Sequence, residues 1–159
     1  MNYRRAHVPG GTYFFTVVTR NRAPVFADIA QVERLKAAFS HVRDTRPFRM
    51  PALVVLPDHL HTIWTLPEDD TDFSTRWRLI KHYVQRASAE PLWQPRFWEH
   101  VIRDEDDFGR HFDYIHGNPV KHGLVNKLCD WPHSTFHRYV NLEVYSPDWC
   151  EIDLEMDLD

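Results

Sequence analysis

His59 and His61, in LPDHLHTIW, are two imidazoles separated by one residue. In an extended chain, residues two apart project to the same face, so this pair can chelate a cation while Leu60 turns into the core. An isolated His-x-His is as readily a pair of ordinary surface or core histidines, so its neighbours in space decide its meaning. Tyr114, in DYIHGNP, is a second candidate because a phenol can act as a nucleophile when a base or a cation stands nearby. Asn118 lies four residues on, one helical turn along the same face. Pro119 follows it, so the helix is expected to stop there and free the Asn118 amide oxygen as a third metal ligand. Taken singly, Tyr114 also reads as a half-buried core tyrosine and Asn118 as a helix-terminal turn residue.

The elements that must position these groups follow from local patterning. TYFFTVVTR, from Thr12 to Arg20, is rich in β-branched and aromatic residues and predicts a first strand. Asp28 is a cap for a helix in which Ile29, Val32, Leu35, Phe39 and Val42 recur at three- and four-residue spacing. PALVVLP from Pro51 and HTIWTLP from His61 predict two tightly joined strands. Ser74 precedes TRWRLIKHYVQRASA, a second amphipathic helix, and RFWEHVIRD is a short β-prone run. DEDDFGRHFDYIHGNP opens with acids that suit a helix N-terminus, so a third helix carries Tyr114. This order gives an α+β, ferredoxin-like (split βαβ) sandwich: an antiparallel sheet, helices on one face, and an additional tyrosine-bearing helix.

The 159 residues fit one domain with one site. With 43% hydrophobic and 14% aromatic residues the chain can build a packed core, which excludes a disordered class. Two cysteines, Cys129 and Cys150, make neither a disulfide framework nor a metal spacing. No run of about 18 apolar residues and no signal peptide is visible, so a cytoplasmic location is expected. The net charge of −4 is unevenly placed. Seven of the 23 acids fall in residues 141–159, which hold no Arg or Lys, so the rest carries 19 basic against 16 acidic groups. The expected organisation is a domain over 1–140 and an acidic C-terminal tail over 141–159 that either keeps the protein soluble or covers a basic groove.

Several spaced motifs occur together: YRR, GGTYFFTVVTRNR, LPDHLHTIW, RFWEHVIRDEDDF, DYIHGNPVKHGLV and WPHSTF. Over about residues 3–140 they resemble the REP-associated tyrosine transposases, within the HUH single-tyrosine transposases and nucleases. The resemblance implies that Tyr114 is the catalytic tyrosine and that His59, His61 and Asn118 hold a divalent metal, Mg²⁺ or Mn²⁺. It further implies cleavage and rejoining of single-stranded DNA at a hairpin of the repetitive extragenic palindrome type, through a 5′-phosphotyrosine intermediate. Asp58 stands where the family pattern has Asn. A monomer is expected, although related transposases include dimers.

Phosphate contacts are expected from Arg4, Arg5, Arg20 and Arg22 around the first strand, from Arg76, Arg78, Lys81 and Arg86 on the second helix, and from Lys121. Lys121 and His122, just past the proline, are expected to approach the scissile phosphate. His100, His111 and His116 read as packing residues. Two other classes fit part of this pattern. A non-catalytic nucleic-acid-binding module would use the aromatic TYFFTVV strand, and a metal-dependent hydrolase would use His59 and His61 to activate water.

Overall fold

The computed structural model describes residues 7–153 and 155–159, so Arg4 and Arg5 lie outside the described residues. The elements run β1 (Thr12–Val18), α1 (Ile29–Thr45), β2 (Arg49–Val55), β3 (His59–Thr65), α2 (Phe73–Gln85), β4 (Trp98–Val101), α3 (Glu105–Lys121) and α4 (Phe136–Asn141). The four strands form one antiparallel sheet in the order β2-β3-β1-β4, the ferredoxin-like arrangement expected from the sequence.

Strand alternation divides the chain into two cores. Tyr13, Phe15, Val17, Leu60 and Trp64 face α1 and α2, where they pack against Leu35, Phe39, Trp77 and Ile80. Trp64 and Trp77 stack with centroids 4.3 Å apart. Each such side chain fully removed from water contributes about 1.5–3 kcal/mol, so this layer fixes the register of the sheet. The other face turns Phe14, Ala52, Val54 and Ile63 toward Phe112, Tyr114 and Ile115 of α3. A one-residue slip of β3 would therefore exchange Leu60 for the histidines.

Three boundaries differ from expectation for local reasons. β3 begins at His59 rather than His61, because the Leu56 amide donates to the His59 carbonyl (2.8 Å) and carries the hairpin pairing to the turn. α2 is capped by Asp72, whose carboxylate accepts from the Thr75 amide (2.9 Å), and not by Ser74. α3 passes through Pro119 to Lys121. It stops where Gly123 takes φ +68°, with the Gly123 amide donating to Val120 and the Leu124 amide to Pro119. That paired closure is a Schellman end, which glycine reaches without strain. At the other end Asp104 accepts from the Asp107 amide (2.8 Å), and three acids occupy the first turn.

α3 is also held by a buried polar contact. His116 has no exposure; its ring nitrogens meet Thr135 Oγ1 at 2.7 Å and the Tyr145 hydroxyl at 3.1 Å. Burial pushes its pKa down to about 3. The unfolded chain, with an ordinary histidine pKa near 6.5, then binds the proton first. The stability His116 contributes is present above pH 6.5 and is lost as pH falls from there toward 3. Urea midpoints at pH 7, 5 and 4 are expected to fall more steeply for the wild type than for His116→Gln; equal slopes would refute this account.

Candidate active site

β3 is one of the two central strands, and its alternation presents His59 and His61 on the α3 side while Leu60 enters the opposite core. The two imidazole centroids are 4.9 Å apart, and both rings are almost fully buried. Each ring is oriented from behind. Asp58 Oδ1 accepts from His59 Nδ1 at 2.6 Å, and Arg22 holds the second Asp58 oxygen at 3.6 Å. The carboxylate that departs from the family pattern is thus a partner of a candidate ligand. Burial raises the Asp58 pKa, but the bond from His59 and the nearby charges outweigh it and leave it lowered. Thr16, paired with His61 across β1 and β3, gives its hydroxyl proton to the Leu158 carbonyl (3.0 Å) and accepts from His61 Nδ1 (2.8 Å). Both Nε2 atoms consequently turn to the centre of the site. Burial lowers the His61 pKa to about 4, against the opposing bond to Asp159.

α3 supplies the facing wall. The Tyr114 ring lies 5.3 Å from the His61 ring, nearly perpendicular to it. Asn118 is one turn further on and fully buried, and neither its side-chain oxygen nor its side-chain nitrogen has a hydrogen-bond partner. It sits within the helix and not at its end; it is burial, not a helix terminus, that leaves its amide unengaged. A buried unsatisfied amide costs about 1–3 kcal/mol per group, so both of its polar atoms are available to a ligand. Lys121 Nζ reaches the Tyr114 hydroxyl at 3.2 Å and stands 4.7 Å from the centre of its ring. His122 brings its ring to 5.3 Å from that of His59.

Asp159, from the acidic segment, enters this space. Its Oδ1 meets His61 Nε2 in a very short contact and His59 Nε2 at 3.2 Å. Its Oδ2 meets His122 Nε2 at 2.7 Å and Lys121 Nζ at 3.4 Å. Burial pushes the Asp159 pKa up, but the bonds from His59 and His61 prevail and hold it far below the carboxylate range. The Leu158 amide donates to the Tyr114 hydroxyl at 2.9 Å. Burial then raises the Tyr114 pKa to about 12, so the phenol is covered and protonated. The segment is anchored by Tyr145 and Met156, which are buried with Phe112 and Phe136. His59, His122 and Asp159 form one group able to hold a metal ion.

Sequence spacing brought His59, His61, Tyr114 and Asn118 together, and Lys121 joins them. His122 continues the Tyr114, Asn118, Lys121 face at the next helical interval, a signal available in the sequence and used only for phosphate proximity. Nothing local marks Asp159 or Thr16, which reach the site through tertiary pairing.

The basic residues divide. Arg22 is exposed beside Asp58 and His59, and Arg20 is exposed just before it. Arg78 and Arg86 are exposed on α2, and Lys81 donates to the Gln94 carbonyl (3.2 Å); α2 covers the sheet face away from Tyr114. Trp77, on the same helix, is wholly buried. Arg76 is corrected outright as a DNA contact. It is 2% exposed, pairs with Asp70 (2.8 Å), and donates to the carbonyls of Arg46, Pro47 and Asp72. Arg76→Met keeps the volume but strips three carbonyls of their donor, and is expected to cost about 2–3 kcal/mol in urea unfolding. A loss below about 0.5 kcal/mol would restore Arg76 as a candidate surface contact.

No family model matches the chain. A REP-associated tyrosine transposase of Escherichia coli (strain K12) is 51% identical over 149 residues, covering 93% of this chain and 90% of that protein. A relative from Haemophilus influenzae (strain ATCC 51907 / DSM 11121 / KW20 / Rd) is 38% identical over 163 residues, covering 93% and 92%. Among solved structures, a REP-associated tyrosine transposase bound to a REP hairpin superposes with a TM-score of 0.90 at 50% identity, over 96% of this chain and 92% of that one. At this identity and coverage the chain belongs to the REP-associated tyrosine transposases.

Proposed function

We propose that this transposase cleaves and rejoins single-stranded DNA beside a REP-type hairpin, with Tyr114 as nucleophile and His59, His61 and Asn118 as ligands of Mg²⁺ or Mn²⁺. The observation that carries the reading is the convergence of the Tyr114 and His61 rings beside an Asn118 amide that is buried without a partner. Two imidazole nitrogens and one amide oxygen suit a borderline to hard divalent cation with open positions, and the absence of a thiolate argues against a closed structural zinc site. Bound there, the cation would supply positive charge against the oxygens of the scissile phosphate.

The chain's own groups account for the remainder. Asp58 and Thr16 hold the two imidazoles so that Nε2 of each faces inward. Lys121 favours the phenolate of Tyr114 and offers a second positive charge to the phosphate. In the cleavage step the Tyr114 oxygen bonds to phosphorus while the P–O3′ bond breaks. The phenolic proton passes to solvent, and the 3′-oxygen leaves as a hydroxyl after taking up a proton. Attack by a 3′-hydroxyl on the phosphotyrosine reverses these changes, so rejoining needs no nucleotide cofactor. The stacked aromatic interior of β1 leaves no exposed RNA-binding platform on Tyr13, Phe14 or Phe15, which disfavours the non-catalytic module.

Incubation of wild-type protein with a labelled hairpin carrying single-stranded flanks and Mn²⁺ is expected to give a covalent adduct on denaturing gels, and Tyr114→Phe none. Cleavage by Tyr114→Phe without an adduct would favour the hydrolase.

Residues 141–159 are proposed to act on the 1–140 body as a cover, since the Asp159 carboxylate stands among the groups that must receive a phosphate. Asp159→Ala is expected to raise the initial rate of adduct formation at least severalfold at fixed DNA and Mn²⁺. An unchanged or lower rate would mean that the carboxylate does not compete with substrate.

A further inference from the structure

Beside the reacting centre, on the β4 side, lies an open groove of about 660 Å³. Its walls include Arg22, Gln94, Arg96 and Trp98, and residues 157–159 of the acidic segment line it as well. Arg22, Gln94 and Arg96 are exposed. Trp98 pairs with Thr16 across β1 and β4, and Thr16 pairs with His61 across β1 and β3. The groove floor is therefore continuous with the row of the sheet that carries a candidate metal ligand.

Trp98 is 41% exposed, an unusual exposure for an indole on a strand whose neighbours are packed. It is also firmly supported. Its ring is parallel to that of His100 within 6°, at 6.0 Å, and His100 in turn stacks on His111 at 4.5 Å and 15°. Phe14 meets Trp98 edge-on at 5.8 Å. Asp107 pins both imidazoles: its Oδ2 accepts from His100 Nε2 at 2.8 Å, and its Oδ1 lies 3.3 Å from His111 Nδ1, which donates to the Asp107 carbonyl. The result is a column of three near-parallel rings, fixed at its inner end to α3 and ending outside in a solvent-facing tryptophan. Hydrophobic burial does not explain that outer end, since the largest ring in the column is its most exposed member.

We propose that Trp98 is a stacking platform for one unpaired nucleobase next to the scissile phosphate, with Arg22 and Arg96 as contacts to the phosphates flanking it. An aromatic platform between exposed guanidiniums is the chemistry that recognises single-stranded nucleic acid. The occupant the groove now holds has the matching charge, because Asp157 and Asp159 lie where a strand's phosphates would run. This assignment rests on the DNA-cleaving reading of the site, and its test separates the two.

Binding is measured by fluorescence anisotropy in EDTA, where no cleavage occurs, using the full chain and a REP-type hairpin with single-stranded flanks on both sides. Each flank position is replaced in turn by an abasic residue. At one position the wild type is expected to lose roughly tenfold or more in affinity. Trp98→Ala loses a similar factor on intact DNA, and the abasic change at that position then costs it little further. Trp98→Phe recovers most of the affinity, and 2-aminopurine at the same position is quenched by the wild type and not by Trp98→Ala. Equal abasic penalties for wild type and Trp98→Ala at every position, or no binding of the flanked hairpin by the wild type, would overturn the platform. A wild type that couples base and Trp98 in EDTA yet forms no adduct with Mn²⁺ would leave the platform standing and reject the nucleophilic reading.

Discussion

Two imidazoles buried side by side on a central strand demand compensation, and the architecture around the site is organised by that demand. Neither ring can be hydrated at its position on β3, so every ring nitrogen needs a partner from the protein, a ligand or a cation. The outward nitrogens are settled by Asp58 and Thr16, one from the hairpin turn and one from the adjacent strand. The inward nitrogens are left to share whatever occupies the cleft under α3. A carboxylate meets that need in the described state, and a cation would meet it in another. The carboxylate satisfies the histidines and leaves the Asn118 amide without a bond, which is the feature that the proposed cation would use.

That constraint explains why much of the site was legible and part of it was not. The His59 and His61 pair declares itself through strand alternation, and Tyr114, Asn118, Lys121 and His122 through helical spacing, both of which are properties of the local chain. The sheet order followed from alternating strand and helix signals in sequence. What failed were inferences that took a local sign for a tertiary fact. Pro119 was expected to end its helix, but the helix runs through it, forgoing the one amide bond that a proline cannot donate, and closes at Gly123 four residues later. Arg76 looked like one more cation on a basic helix, yet its position on α2 points it at the carbonyls that follow α1, where a guanidinium is the only side chain with enough donors. Asp159 and Thr16 had no signature at all, since their relation to His61 exists only after β1, β3 and residues 157–159 come together.

Electrostatics follows geometry closely here. The same burial lowers the pKa of His61 and raises that of Tyr114, so desolvation keeps both groups uncharged. For a metal ligand this is favourable, because a neutral imidazole offers its lone pair. For a nucleophile it is unfavourable, because the phenol keeps its proton. The two needs conflict only while residues 157–159 shield the cleft: exposing Tyr114 to solvent, with Lys121 already beside its hydroxyl, relieves the penalty on the phenolate without moving the histidines out of the sheet.

On the proposed function, the acidic segment and a DNA strand would compete in the same physical terms. Each offers an anionic group to Lys121, His122 and the histidine pair, and each lays further charge along Arg22 and the Trp98 groove. The segment has the advantage of being tethered, so it is always at high effective concentration. DNA has the advantage of more phosphates, an aromatic platform to stack upon, and the ability to share a cation with Asn118, which the carboxylate leaves unsatisfied. Occupancy of the cleft is then set by how many of these contacts a given strand can make together. On the proposed reading, a strand that presents a base to Trp98 and its scissile phosphate to the histidines would displace the segment more readily than one making phosphate contacts alone. Competition of this kind lowers the apparent affinity of every strand by the same factor, so it raises the contact energy that any strand must supply to occupy the cleft while leaving the ratio between strands unchanged.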